Sequence, residues 1–287
     1  MTMYARECGS MVPADAWSGR VVSRHDGFLN LLHPDGVVVS VLVDHRHMYP
    51  FGIRVLSDEL ARIDAQPDSA VSMTDGFLKI DRKWVIALSN TRCWSGAVNS
   101  CSERQGDTAA IGALAAAIGE HAGREGFGSL VVGKLEDDFA DRASSVLQAA
   151  MASPGPMDLS RLIGLGIGLT PSGDDFLAGV LAAEAAFSES QGHRPVHSID
   201  RGVLSARLQS TSPAGRTLMT GALAGQFPKY LVNLIEALCA PLRGVRMLRE
   251  AVDEAATHGA TSGIDSCTGV WWWLDQVSGR SENQFRP

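Results

Sequence analysis

The sequence is most constrained at Gly164-Leu-Gly-Ile-Gly-Leu-Thr-Pro-Ser-Gly-Asp-Asp-Phe-Leu-Ala-Gly179. Three glycines at alternate positions call for an irregular loop, and the residues after them call for a helix. Thr170 suits an N-cap, and Pro171 suits the first turn, where a missing N–H costs nothing. Ser172 and Asp175 allow a second, overlapping capping box. Phe176, Leu177, Val180, Leu181 and Phe187 then give the helix an apolar face. Such a start presents unpaired N–H groups and about half a positive elementary charge, which favours an anion. Gly166, Gly168, Thr170, Ser172 and Gly173 are therefore candidates to hold a phosphate or carboxylate. Asp174 and Asp175, in the same turn, can hold a cation, polarise a hydroxyl or amine, or satisfy the dipole.

A second stretch repeats the pattern. Ser172-Gly173-x-Asp175-x3-Gly179 matches Ser262-Gly263-x-Asp265-x3-Gly269, and Thr261 precedes the second as Thr170 precedes the first. Positions i, i+3 and i+7 share one helix face. Glycine on that stripe lets two helices approach closely and bring both Ser/Asp pairs to one site. The alternative is two well-capped helix starts whose glycines only ease packing. A third element, Ser210-Thr-Ser-Pro-Ala-Gly-Arg-Thr217, offers hydroxyls and Arg216 for a phosphate or carboxylate. Hydroxyls before a proline are also ordinary N-caps.

At 287 residues the chain can bury a substantial core, as one large or two modest domains. Its net charge of −7 argues against a general nucleic-acid or anionic-membrane surface. No run of about 18 apolar residues occurs, so no membrane span is expected. Cys8, Cys93, Cys101, Cys239 and Cys267 are odd in number, dispersed and without a CxxC pair. That pattern predicts reduced thiols in a cytoplasmic protein, neither a disulfide framework nor a zinc site.

The fold class expected is α+β: a β-rich barrel or sandwich over 1–105, then a mainly helical domain over 106–287 carrying the glycine loop and both motifs. Residues 19–22, 27–32 and 36–43 are short strand-like runs punctuated by Asp-Gly turns at 26–27 and 35–36. Asp75-Gly76 opens another pair, with arms at 77–80 and 83–88. Tyr49 to Arg54 is a turn leading into an extended segment. His45 and His47, beside Asp44, would share a face on a strand, but no third ligand for a metal is evident. From Asp107, an acidic cap, the periodicity turns helical. Residues 127–133 read as a short extended piece, 135–151 as a helix, and 153–156 as a break. A short helix at 158–165 delivers the glycine loop, and the central helix covers 171–188. After a loop at 189–195, helices are expected near 199–209, 213–225, 228–240, 244–256 and from 262, with a disordered tail from 278. Trp271, Trp272 and Trp273 suit a core or an oligomer interface better than a ligand platform.

Several site classes are absent: the dinucleotide GxGxxG in its strand–helix setting, the P-loop, HExxH and GxSxG. The glycine loop with Thr170-Pro-Ser-Gly-Asp-Asp175, and the downstream Thr261-Ser-Gly-x-Asp265, resemble the signature of a bacterial family that includes a subunit of oxamate carbamoyltransferase. The resemblance extends over most of the chain, including Tyr49 to Arg54. It implies a part in carbamoyl transfer during allantoin (purine) breakdown, with companion subunits and a small anionic substrate. Oxalurate and phosphate would give oxamate and carbamoyl phosphate. The Ser-x-Arg-Thr-Arg phosphate motif of ordinary aspartate and ornithine carbamoyltransferases is absent, so their mechanism does not transfer.

On this reading the loop and the first-turn amides hold phosphate or carboxylate. Asp175 and Asp265 orient an amide nitrogen or a divalent cation, with Asp174 beside them, and Ser172 and Ser262 bond the carbamoyl group. No cofactor is required by the sequence. The rival readings are a non-catalytic ligand-binding or scaffolding subunit, and a Mg-dependent phosphotransfer enzyme using Asp174 and Asp175.

Overall fold

The computed structural model describes residues 2–43, 47–101, 108–123, 125–133, 138–187, 198–240 and 244–277. The chain divides into two units, 1–96 and 97–287.

The first unit is one curled ten-stranded sheet, a half-barrel. Its strands are β1 (Thr2–Tyr4), β2 (Glu7–Gly9), β3 (Trp17–His25), β4 (Phe28–Leu32), β5 (Val38–Val43), β6 (Gly52–Val55), β7 (Ala70–Thr74), β8 (Phe77–Ile80), β9 (Trp84–Ala87) and β10 (Arg92–Trp94). Their order is β1-β9-β8-β7-β3-β4-β5-β6-β2-β10. A short helix α1 (Ser57–Ala61) follows β6. Alternation drives the curl: Val21, Leu29, Leu31, Val41, Leu78 and Ile86 are fully buried on the inner face. Each such side chain stabilises by roughly 2 kcal/mol on leaving water.

Asp75 and Gly76 both take positive φ (51° and 76°), the primed turn whose twist suits a hairpin, and link β7 to β8. The β8–β9 turn is made by Asp81 and Arg82, at φ 50° and 55°, with no glycine to announce it. The histidine reading is only partly visible: Asp44 and His45 lie outside the described residues, and His47 lies beyond the end of β5.

The second unit is helical: α2 (Thr108–His121), α3 (Gly128–Val132), α4 (Asp138–Ala152), α5 (Ser172–Phe187), α6 (Arg201–Ala206), α7 (Pro213–Leu223), α8 (Lys229–Cys239), α9 (Gly244–Ala256) and α10 (Ser262–Val277). Helix α5 is buried on every face, every residue but Ala185, because after its two aspartates it carries almost only apolar and small side chains. Its Glu184 is paired with Arg201 at 2.6 Å and accepts the Ile199 N–H at 2.9 Å. Trp271, Trp272 and Trp273 of α10 fill the core, with Trp272 tilted against Phe176. Among the described residues no helix is long and apolar enough to cross a membrane.

Two expectations are corrected here. Residues 127–133, read as extended, form α3 instead. Gly126, at φ 79°, turns the chain inward, Gly133, at φ 67°, ends the helix, and tertiary contacts override the β-propensity of Leu130-Val-Val132. Cys101 and Cys239, expected as free thiols, form a disulfide with Cα atoms 5.7 Å apart. They are 138 positions apart in the sequence, and only the docking of Cys101 beside α5, its N–H on the Ala186 carbonyl, brings it to the end of α8. Cys239→Ser is expected to destabilise this unit by about 2 kcal/mol. Melts with and without dithiothreitol check this; coincident curves would show that the crosslink carries no stability. The Asp107 cap, the loop at 189–195 and the tail lie outside the described residues.

Candidate functional site

Helices α5 and α10 cross in backbone contact. A Cβ on Gly179 would collide with the Ser266 carbonyl, and one on Gly269 with the Phe176 carbonyl. Exchanging the two motifs maps each contact onto its counterpart, so the crossing has a local two-fold relation. Both helix starts therefore meet at one place.

The polar contacts repeat the exchange. Asp175, on α5, is bonded by Ser262 of the other motif and by Thr170. Asp265, on α10, is bonded by Ser172 of the first motif and by Thr261. The hydroxyls also pair across the crossing, Thr170 with Ser262 at 3.0 Å and Ser172 with Thr261 at 3.5 Å. Asp265 additionally accepts the Phe127 N–H at 2.5 Å and the Gly128 N–H, which the turn at Gly126 presents.

Thr170 and Ser172 are thus committed across the crossing. Three amides of the first helix start are satisfied by backbone: Gly173 N–H donates to the Leu165 carbonyl (2.8 Å), and Asp174 and Asp175 N–H to the Pro171 carbonyl. In the second motif Gly263 N–H donates to the His258 carbonyl and Asp265 N–H to that of Thr261. Of the amides expected to cradle an anion, those of Gly173 and Asp174 already have acceptors.

The adjacent aspartates turn to different partners. Asp174 accepts the Thr211 hydroxyl and the Gly164 N–H at 3.1 Å, tying the glycine loop to the entrance of α7. Gly215 makes room for it, since a Cβ there would strike its carboxylate. Ser212 caps α7 by accepting the Gly215 N–H and donates to the Leu169 carbonyl. The loop, with Gly166 at φ 104° and Gly168 at φ 109°, leaves Ile167 and Leu169 exposed at 81% and 67%. Arg216 bonds the Leu208 carbonyl through Nε at 3.3 Å, so its contact is with backbone.

Burial governs the electrostatics. Asp174, Asp175 and Asp265 are 0%, 2% and 0% exposed. Desolvation pushes Asp174 and Asp265 each up to about 6 against bonds that lower them. Asp175 stands well above the ordinary carboxyl range, first through burial and then through the negative charge of Asp265. Asp175 and Asp265 each keep one buried oxygen, Oδ2, with no hydrogen-bond partner. Leaving such acceptors unmade is costly, so two at one crossing mark a place where a donor belongs. Thr170, Thr261 and Ser262, whose hydroxyls bond these carboxyl groups, are only half-buried. Among the described residues no group of three or more His, Cys, Asp or Glu gathers as a metal cage.

The site is an acceptor, suited to N–H or O–H donors. The Phe127 and Gly128 amides and the Thr211 hydroxyl were not singled out from the sequence. Only Thr211, within the hydroxyl run before Pro213, had a local signal.

Comparison with known proteins agrees with this distribution of features. A family model described as oxamate carbamoyltransferase subunit AllH matches residues 162–274, a span holding the glycine loop and both motifs. A second, described as the AllH family N-terminal domain, matches residues 3–93, the curled sheet. No solved structure matches the chain. With both units matched, the chain belongs to the AllH family of oxamate carbamoyltransferase subunits.

Proposed function

We propose that the chain works inside a multi-subunit carbamoyltransferase on a small anionic substrate of the oxalurate and oxamate type, in purine nitrogen breakdown. One observation carries the reading: two buried carboxyl groups, Asp175 and Asp265, each with an unpartnered oxygen and each bonded by half-buried hydroxyls. The amide end of the substrate donates an N–H to the Asp265 oxygen, and the Asp175 carboxyl, held protonated by burial, meets the nitrogen that departs. The Ser262 and Thr170 hydroxyls, whose O–H groups already serve Asp175, offer their lone pairs to a further N–H of the substrate.

In the direction that makes carbamoyl phosphate, a phosphate oxygen attacks the carbamoyl carbon and the C–N bond breaks. The departing oxamate nitrogen must then take up a proton. A carboxyl held protonated near neutrality by burial is a suitable source, and the reverse reaction returns that proton. Positioning and charge stabilisation supply the rest of the rate. The divergence of Asp174 and Asp175 onto separate partners disfavours the phosphotransfer reading, which needs them on one cation.

The test is omission. Companion subunits assembled with this chain are expected to form carbamoyl phosphate from oxalurate and phosphate, and without it to lose that activity. Full activity in its absence would remove the chain from the reaction.

A further inference from the structure

The cysteines outside the helical unit show a second pairing. Strands β2 and β10 run parallel with Cys8 and Cys93 as direct register partners. Register partners in a parallel ladder point to the same face, and neighbouring strands lie about 4.8 Å apart. That falls within the roughly 4.4–6.8 Å Cα separation that a disulfide spans. Both residues are free, Cys93 exposed and Cys8 half-buried. Their thiols interact: burial, and then the charge of Cys93, push Cys8 up to about 11. The third free cysteine, Cys267, is fully buried and pushed up to about 12.

The two thiols therefore differ in role. Cys93 lies open to a reagent from solvent, whereas Cys8 stays protonated beside it with its Sγ toward the Gly9 carbonyl. Strand β10 has only three residues and forms the edge of the sheet, a segment held by few bonds. Glu7, next to Cys8, draws in Arg92 of β10 at 3.9 Å and Arg54 of β6 at 3.5 Å, so an ion pair spans each side of β2.

We propose that Cys8 and Cys93 are a reversible dithiol–disulfide site that reacts with small-molecule disulfides of the glutathione type and, when oxidised, latches the edge strand β10 to β2. The Cys93 thiolate attacks one sulfur of the small disulfide. One small thiol leaves, taking up the proton that Cys93 gave, and a mixed disulfide remains. Cys8 then attacks the Cys93 sulfur, and the second small thiol departs with the Cys8 proton. Two protein thiols are oxidised and one small disulfide is reduced to two thiols. Proximity offsets the low thiolate fraction of Cys8 in the second step.

The full chain is incubated with oxidised glutathione, quenched with an alkylating agent and mapped by peptide mass spectrometry. The expected result is loss of two of the three free thiols, a linked Cys8–Cys93 peptide, and reversal by dithiothreitol. Cys8→Ser should stop at a glutathione adduct on Cys93, and Cys93→Ser should leave Cys8 unmodified. Hydrogen exchange should show the Cys93 and Trp94 amides better protected in the oxidised chain. Wild-type chain that stops at the Cys93 adduct, forms Cys93–Cys93 dimers, or leaves Cys93 unreacted overturns the proposal.

Discussion

Replacing Gly269 by alanine is expected to destabilise the helical unit by about 3 kcal/mol, at the upper end of overpacking costs, and so to lower its melting temperature by roughly 10 °C. The added carbon would sit against the Phe176 carbonyl of α5, with the Val180 nitrogen 3.0 Å away. Backbone cannot move aside as a flexible side chain can, so the two helices must separate. The same displacement would draw Ser262 away from Asp175 and Ser172 away from Asp265, so the site should fail together with the fold. Gly179→Ala, the two-fold counterpart, should behave alike because its Cβ would meet the Ser266 carbonyl. The control has the opposite sign. Gly112 of α2 has open space around its missing Cβ. Gly112→Ala should therefore stabilise by roughly 0.5–1 kcal/mol through helix propensity alone. Melts of the three variants decide it, and equal shifts at Gly112 and Gly269 would remove the close crossing from the account.

Asp265→Asn separates chemistry from stability. In the assembled enzyme it is expected to lower the rate by roughly 10²–10³-fold, the scale of a lost acid–base or charge-stabilising group. At neutral pH the isolated chain should be as stable as wild type or more so. The reason lies in the sign of the shift. Burial raises the native Asp265 carboxyl from its ordinary value of 3.8 to about 6, so the native state holds its proton more tightly than the unfolded chain does. Its favourable contribution is complete below about pH 4 and is lost as pH rises to about 6, where the native group ionises. About two pH units of displacement correspond to about 3 kcal/mol. Asparagine has nothing to ionise, so that slope should disappear. Urea unfolding of both proteins between pH 4 and pH 8 gives the difference directly. An unchanged slope would mean that Asp265 does not hold its proton up to about pH 6, and an unchanged rate would remove it from catalysis.

Much of the local structure was legible in the chain. Asp75-Gly76 announced a turn because few residue pairs accept two positive φ angles. Pro171 after Thr170 announced the start of α5, and the apolar spacing from Phe176 to Phe187 announced its body, because helix ends and faces depend on neighbours within a turn or two. The match between the two Ser-Gly-x-Asp stretches was also visible, and its glycines allowed a close approach, but the same residues equally fit two separate capped helix starts.

What tertiary structure alone decided has a common cause, contact between residues far apart in the chain. Whether a hydroxyl caps its own helix or reaches across to another depends on where the second helix lies, and so Ser262 serves Asp175 and Ser172 serves Asp265. Adjacent Asp174 and Asp175 look alike in sequence, yet point along different directions of the helix wheel and meet different partners. Phe127 and Gly128 carry donors that every residue but proline has, so nothing local marked their amides as ligands of Asp265. Cys101 with Cys239, and Cys8 with Cys93, are pairs that only chain topology selects, because a thiol carries no local sign of the partner it will face.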